Sequence, residues 1–500
     1  MTVRKKLAFI LYIASVMLHA CTSSSTKLDP PTPQPDSAIL LAPTERFSSS
    51  IEDETSQLLE ALVNADADIA RSAIKTIIEN GDKRFISVFL ELMRANEIRI
   101  ITGAGYNEHI AALEMLSGKS LGEDWPAWVE WYGATELEPP PGFTGWKGRL
   151  LGRIDEKFSD FLRDEYTSTI RVEEIQWGGV VVDGIPALSN PNMLPADEAD
   201  YLTPDEPIFG IFINGDARAY PLRIMDWHEM ANDVVGGVPV SLAYCTLCGA
   251  GIAYNGRVNG ETYTFGSSGF LYRSNKLMFD RQTGTLWNQL SGEPVLGTLV
   301  GRDIALELLP VVLTTWSAWV AQHPETVVLS LDTGYDRVYF PGAAYGSYFL
   351  SESTMFPVWQ RSDLLDPKDR IYALRIAGVP KAYPIETLAE EIIVNDVLAG
   401  TSIVLIAERG EVIVSGVDLR SGAVTYAAGG EVRVYARQER TFSPHPTPGY
   451  LYDTRGDEWT ISEGALLGPK GEELPRINGH LAYWFGWFAN FPNTLLYAAP

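Results

Sequence analysis

Between residues 51 and 134 the apolar positions recur at helical spacing. Leu58, Leu59, Leu62 and Val63 share one face, as do Ile69, Ile74, Ile77 and Ile78. A third run, Phe85, Ile86, Val88, Phe89, Leu90, Leu92 and Met93, follows a short Gly81-Asp82 turn. Short amphipathic helices broken by polar turns resemble HEAT-like helical pairs, each burying a face against its neighbour. Trp125, Trp128 and Trp131 read as the aromatic closure of that stack. The region predicts an interaction or spacing domain through which a protein partner could bind.

After Pro139-Pro140-Pro141-Gly142 comes a linking segment, and from about residue 171 the pattern changes to short β-rich runs between Gly, Asn, Asp and Pro turns. Ile208 to Ile213 and Ala217 to Tyr220 flank Asn214-Gly215, a strong hairpin signal. A helix is predicted near residues 225–233. Phe265-Gly266-Ser267-Ser268-Gly269-Phe270 reads as a tight turn of small residues between aromatics.

The second half echoes the first. Asn214-Gly215-Asp216-Ala217-Arg218-Ala219-Tyr220-Pro221 returns as Ala377-Gly378-Val379-Pro380-Lys381-Ala382-Tyr383-Pro384, and Asn232-Asp233-Val234 as Asn395-Asp396-Val397. Trp316-x-x-Trp319 with His323-Pro324-Glu325-Thr326 parallels Trp484-x-x-Trp487 with Phe491-Pro492-Asn493-Thr494. The chain therefore reads as multidomain: an N-terminal all-α HEAT-like helical segment, then an α+β, mainly β, internally duplicated domain. The expected boundaries are a signal peptide over 1–20, a lipidated tether over 21–50, the helical domain over 51–135, the linking segment over 136–170, a first copy over 171–335 and a second, degenerate copy over 336–500.

The start of the chain bears on location. Arg4, Lys5 and Lys6 precede an apolar run from Leu7 to Leu18, and Leu18-His19-Ala20-Cys21 resembles the site where a lipoprotein signal is cut and Cys21 acylated. A Ser, Thr and Pro-rich stretch follows, as a flexible tether would. The expectation is a protein lipid-anchored in the cell envelope, on a periplasmic or outer membrane face, whose membrane contact is the acyl anchor. Losing the three basic residues of the first 20 leaves 36 basic against 64 acidic residues, a net charge of −28. That balance argues against a nucleic-acid partner.

Three cysteines occur in all, so beyond Cys21 only Cys245 and Cys248 remain, and a disulfide framework is excluded. Comparison of the halves separates fold from chemistry. Tyr220, Pro221, Asn232, Asp233 and Trp319 occur in both, whereas His228, Cys245 and Cys248 are matched by Glu391, Glu408 and Glu411. The first copy owns the unusual chemistry. A Cys-x-x-Cys can grip one ion or close on itself. As a metal site, Cys245, Cys248 and His228 would hold copper(I) or zinc, with Glu229 or Asp233 in support. As a redox site, the pair would cycle between dithiol and disulfide, with Cys245 as attacking thiol. A third reading is a non-enzymatic scaffold. Arg218, Ser267, Ser268 and Arg281 are candidate anion or substrate contacts; for the serines the turn is the favoured reading, and for Arg218 an ion pair. No phosphate loop or dinucleotide fingerprint is present, so no nucleotide cofactor is expected. His228-Glu229 lacks the second histidine of a zinc-protease helix, since Asn232 stands there. No catalytic residue is assigned.

A series of motifs resembles the domain of unknown function 3179 family. They are Gly184-Ile185-Pro186-Ala187, Ala217-Arg218-Ala219-Tyr220-Pro221-Leu222, Trp227-His228-Glu229 with Asn232-Asp233, and Tyr244-Cys245-Thr246-Leu247-Cys248-Gly249. Ser268-Gly269-Phe270-Leu271-Tyr272, Asp280-Arg281, Leu286-Trp287 and His323-Pro324-Glu325-Thr326 continue the series. The resemblance is strongest over residues 170–390, excludes the helical region and implies no activity.

Overall fold

The computed structural model describes residues 48–499. The expected signal segment, Cys21 and the tether up to residue 47 lie outside the described residues. Contacts divide the chain into two units. One comprises residues up to 125 with 136–165 and 177–184; the other comprises 126–135, 166–176 and everything from 185 on. N-terminal helices are thus followed by a mainly β region of many sheets.

The helical unit opens with α1 (Ser48–Leu62), α2 (Ala67–Asn80), α3 (Ile86–Glu97) and α4 (Tyr106–Ser117). Asp66 caps α2 by accepting from the Asp68 amide, and Gly81 closes it in the left-handed region at φ 64°. The predicted stripe is buried at Leu59, Leu62, Ile74, Ile77, Phe89 and Met93, whereas Ile69 is 45% exposed. Residues 136–165 do more than link. They carry α5 (Phe143–Leu151) and α6 (Lys157–Phe161) and pack with these helices. Trp146 Nε1 donates to the Leu59 carbonyl at 2.9 Å, and Lys147 Nζ meets Glu91 Oε1 at 2.5 Å. No helix among the described residues is long and apolar enough to cross a membrane.

In the β-rich unit, β1 (Pro207–Ile213) and β2 (Asp216–Pro221) form the predicted hairpin. Asn214 and Gly215 sit at φ 51° and 85°, as its two-residue turn requires. Next come α7 (Leu222–His228), β3 (Met230–Val235), β4 (Val238–Cys245) and β5 (Ala250–Asn255). The predicted 225–233 helix is therefore corrected. It ends at His228 because Glu229 turns left-handed at φ 54°, and Asn232 and Asp233 lie in a strand. The Gly-Ser-Ser-Gly turn is also corrected: it lies inside β6 (Phe265–Tyr272), which pairs with β7 (Asn275–Asp280) through an irregular register.

The same order recurs downstream in β8 (Arg370–Ile376), β9 (Val379–Pro384), α8 (Ile385–Glu391), β10 (Ile393–Leu398) and β11 (Thr401–Ala407). Side-chain bonds recur with it. Asp233 accepts from Arg218 Nη1 and the Tyr220 hydroxyl, both at 2.8 Å; Asp396 accepts from Lys381 Nζ at 2.5 Å and the Tyr383 hydroxyl at 2.7 Å. Asn232 exchanges two bonds with the Phe265 backbone, as Asn395 does with Phe442. Trp319 Nε1 donates to Thr326 Oγ1 at 2.8 Å, and Trp487 Nε1 to Thr494 Oγ1 at the same distance.

One difference between the halves lies where the first carries its cysteines. β4 runs into β5 through the turn at residues 246–249. In the second half β11 pairs with β14 (Val432–Ala436) only after an excursion that carries the hairpin of β12 (Val412–Asp418) and β13 (Gly422–Gly429). Its Val414, Val424, Tyr426 and Ala428 are buried in the same apolar cluster as Tyr244.

Candidate functional site

Strand register builds the site. β3 and β4 pair from Met230↔Ala243 to Val235↔Val238 around Gly236-Gly237, at φ 54° and 81°. This places Glu229, one residue before β3, opposite Tyr244, whose amide donates to the Glu229 carbonyl at 2.8 Å. The chain then turns at Cys245–Gly249, with the Cys248 amide donating to the Cys245 carbonyl at 3.2 Å and Gly249 at φ 60°. Gln289 ties the base of this turn, donating from Nε2 to the carbonyls of Ala243 and Ala250, both at 2.9 Å.

Both thiols are free and buried, at 2% and 0% exposure. The Cys248 thiol and the Lys276 backbone N–H both favour charge on the Cys245 sulfur. Cys248 Sγ additionally approaches the Ser274 carbonyl at 3.0 Å. That carbonyl belongs to an unusual turn, because Arg273 and Ser274 are both left-handed, at φ 47° and 64°, without being glycine. Arg273 Nε is anchored on Glu174 Oε2 at 2.5 Å, and Ser274 Oγ donates to the Pro357 carbonyl at 2.7 Å. A Cβ on Gly486 would lie 3.2 Å from Cys248 Sγ, so a glycine there leaves the sulfur its place.

Beside the sulfurs lies a buried ion pair. Lys276 Nζ is 2.8 Å from Glu229 Oε2 and 3.2 Å from the Glu229 carbonyl. Thr246 Oγ1 donates to Glu229 Oε1 at 2.7 Å, and the Tyr345 hydroxyl approaches that oxygen at 3.4 Å. These surroundings drive the two thiols apart. Burial raises Cys245, but the Cys248 thiol, the Lys276 ammonium and the Lys276 amide outweigh burial and Glu229, and hold it below the ordinary thiol value. Burial, together with its bond to Cys245, pushes Cys248 well above that value. The pair is polarised: Cys245 gives up its proton more readily than Cys248.

His228 is fully buried, but both of its ring nitrogens are engaged away from the sulfurs. Nδ1 donates to the Pro186 carbonyl at 2.7 Å, and Nε2 accepts from the Tyr339 hydroxyl at 2.6 Å. Burial lowers its pKa to about 4, which fits a neutral ring. Asp233 is consumed by Arg218 and Tyr220, and Arg218 also pairs with Asp216 at 3.1 Å. Among the described residues no group of three or more His, Cys, Asp or Glu side chains is placed to hold a metal. Of the expected ligands the structure brings together Cys245, Cys248 and Glu229. Ser268 Oγ, fully buried, donates to the Leu277 carbonyl at 2.6 Å; Ser267 is 4% exposed in the same strand. Arg281 stacks 5.3 Å from the Phe279 ring centroid.

The site thus defines a mainly β protein with a polarised, buried dithiol. The family described as "Protein of unknown function (DUF3179)" matches residues 182–494, and the chain belongs to it. No curated protein and no solved structure matches the chain.

Proposed function

We propose that this chain is a thiol–disulfide redox protein whose Cys245 and Cys248 cycle between dithiol and disulfide. The carrying observation is the buried turn that holds Cys245 and Cys248 beside the Lys276–Glu229 pair and drives their two thiols apart in acidity. The step balances as ordinary exchange. The Cys245 thiolate attacks one sulfur of a substrate disulfide, whose other sulfur leaves as a thiolate that takes up a proton. Cys248 then loses its proton and attacks Cys245 Sγ, releasing the second substrate sulfur. Two electrons pass to the substrate and one intramolecular disulfide forms.

A second reading keeps the metal. Two adjacent thiolates suffice for copper(I), whose charge they would share with Lys276, whereas tetrahedral zinc needs further ligands. Three finer features join the proposal. The recurring elements and side-chain bonds support an internal duplication whose second copy lost the thiols. The consecutive short helices support a HEAT-like, partner-binding N-terminal segment. The sequence around Cys21 supports a lipid-anchored envelope protein.

The test is native purification without added metal or chelator, beside a Cys245→Ser/Cys248→Ser variant. Both forms are assayed for metal and for free thiols at a series of glutathione potentials. A reversible two-electron transition in the parent, absent from the variant, is the expected result. Near-stoichiometric copper with no such transition moves the assignment to the metal; neither result ends both readings.

A further inference from the structure

Asp226 lies on α7, 3% exposed, and its Oδ1 has no hydrogen-bond partner among the described residues. The Tyr426 hydroxyl on β13 is likewise buried without a partner. Asp226 acts electrostatically on Tyr426 and Tyr244, where only burial outweighs it, and as a lesser influence on Tyr345 and Tyr483. Arg370, on β8, completes the set. Its Nη2 donates to the Tyr483 hydroxyl at 2.9 Å and to the Ala427 carbonyl, and its guanidinium stands 4.6 Å from the Tyr483 ring centroid. None of those partners is an anion.

What these groups can bind follows from their protons. Burial, with repulsion from Glu229 and Glu206, pushes the Asp226 carboxyl well above the usual carboxylate range and favours its protonated form. The two repelling carboxylates are themselves committed, Glu229 to Lys276 at 2.8 Å and Glu206 to Arg223 at 2.5 Å. The remaining capacity is then a carboxylic O–H, a phenolic O–H and a guanidinium, all donors. A neutral acid and a tyrosine in an apolar setting can together receive an oxyanion. An ammonium ligand would face Arg370 and would first require Asp226 to ionise.

We propose that Asp226, Tyr426 and Arg370 bound a site for the carboxylate of a small organic acid, with Asp226 and Tyr426 as neutral donors and Arg370 as counter-ion. The site adjoins the dithiol: the Tyr483 backbone N–H donates to the Cys248 carbonyl at 2.6 Å, and Glu229, which repels Asp226, borders Cys245. At the matching offset of the second half Ala389 replaces Asp226, so the acid belongs to one half only.

The full chain, with both cysteines reduced, is titrated calorimetrically with acetate and pyruvate, and with methylammonium as the cation probe. At least one carboxylate should bind saturably. Its affinity should fall by roughly tenfold or more, about 1.4 kcal/mol, in Tyr426→Phe and in Asp226→Ala. Asp226→Asn, which keeps a neutral donor, should stay within about threefold of the parent. Unfolding midpoints establish that each variant is folded. Methylammonium binding in place of the carboxylates overturns the proposal. So does carboxylate affinity indifferent to Tyr426 and Asp226, or no carboxylate binding at millimolar concentration to the folded parent.

Discussion

Lys276 acts on both Glu229 and Cys245: its ammonium lies 2.8 Å from Glu229 Oε2, and its ammonium and backbone N–H both favour charge on the Cys245 sulfur. The two side-chain charges act on that sulfur in opposite directions, the ammonium lowering its pKa and the carboxylate raising it. Lys276→Gln should therefore raise the Cys245 pKa, and Glu229→Gln should lower it further. Thiolate absorbance followed against pH in a Cys248→Ser background measures both. A shift of the same sign in the two variants would refute this arrangement. The double variant avoids the cost of a buried charge left alone, roughly 3–5 kcal/mol.

The buried histidines set an acid limit. Burial lowers His109, His228 and His480 to about 4, from an ordinary value of 6.5. The unfolded chain binds the extra protons between those values. The stabilisation is therefore complete above about pH 6.5 and is lost as pH falls toward 4, at about 1.4 kcal/mol per pH unit for each histidine. Urea midpoints between pH 7 and 4.5 should show this slope, made shallower by His228→Gln. An unchanged slope in that variant would show that His228 does not contribute.

Asp226 works in the opposite sense. Its folded pKa is raised, so the folded chain holds a proton that the unfolded chain releases, and stability declines as pH rises above the ordinary carboxylate value. Asp226→Asn should be more stable than the parent at neutral and alkaline pH, and the difference should vanish near pH 3. A variant less stable at pH 8 would mean that Asp226 is ionised and paired.

Arg218 should behave as a structural cation. Its Nη1 contacts both oxygens of the 5%-exposed Asp233 at 2.8 Å, and Lys381 stands in the same relation to Asp396. Arg218→Met leaves Asp233 buried alone and should cost roughly 3 kcal/mol. Arg218→Lys copies the second half and should cost less than about 1.5 kcal/mol. Equal losses in the two variants, measured by denaturant unfolding, would deny that the halves use one device.

Local signals were legible in the sequence and long-range ones were not. Asn214-Gly215 announces its own turn, and the helical stripe of residues 58–93 is buried nearly as its spacing predicts, Ile69 excepted. The end of α7 was hidden, because nothing in Trp227-His228-Glu229-Met230 shows that Glu229 turns left-handed. Cys245 and Cys248 advertise themselves by spacing. His228 was misleading, since its partners Pro186 and Tyr339 come from 42 and 111 residues away. Lys276 had a signal that went unused: a lone cation beside Leu277-Met278-Phe279 in a strand is either paired or misplaced. Asp226, Tyr345 and Gln289 had none, because their roles arise only where distant strands meet.

The β12–β13 hairpin occupies the place that the cysteine turn holds in the first half, and with β8 it supplies Tyr426, Ala427 and Arg370 around Asp226. The half that carries the thiols is thus unfinished without the half that lacks them. A fragment ending near residue 335 would keep every cysteine motif yet lose Tyr345, Arg370, Tyr426, Tyr483 and Gly486. A transplantable piece must hold both halves together with Glu174, which anchors Arg273, and a lone first half grafted elsewhere would carry its sulfurs without their walls.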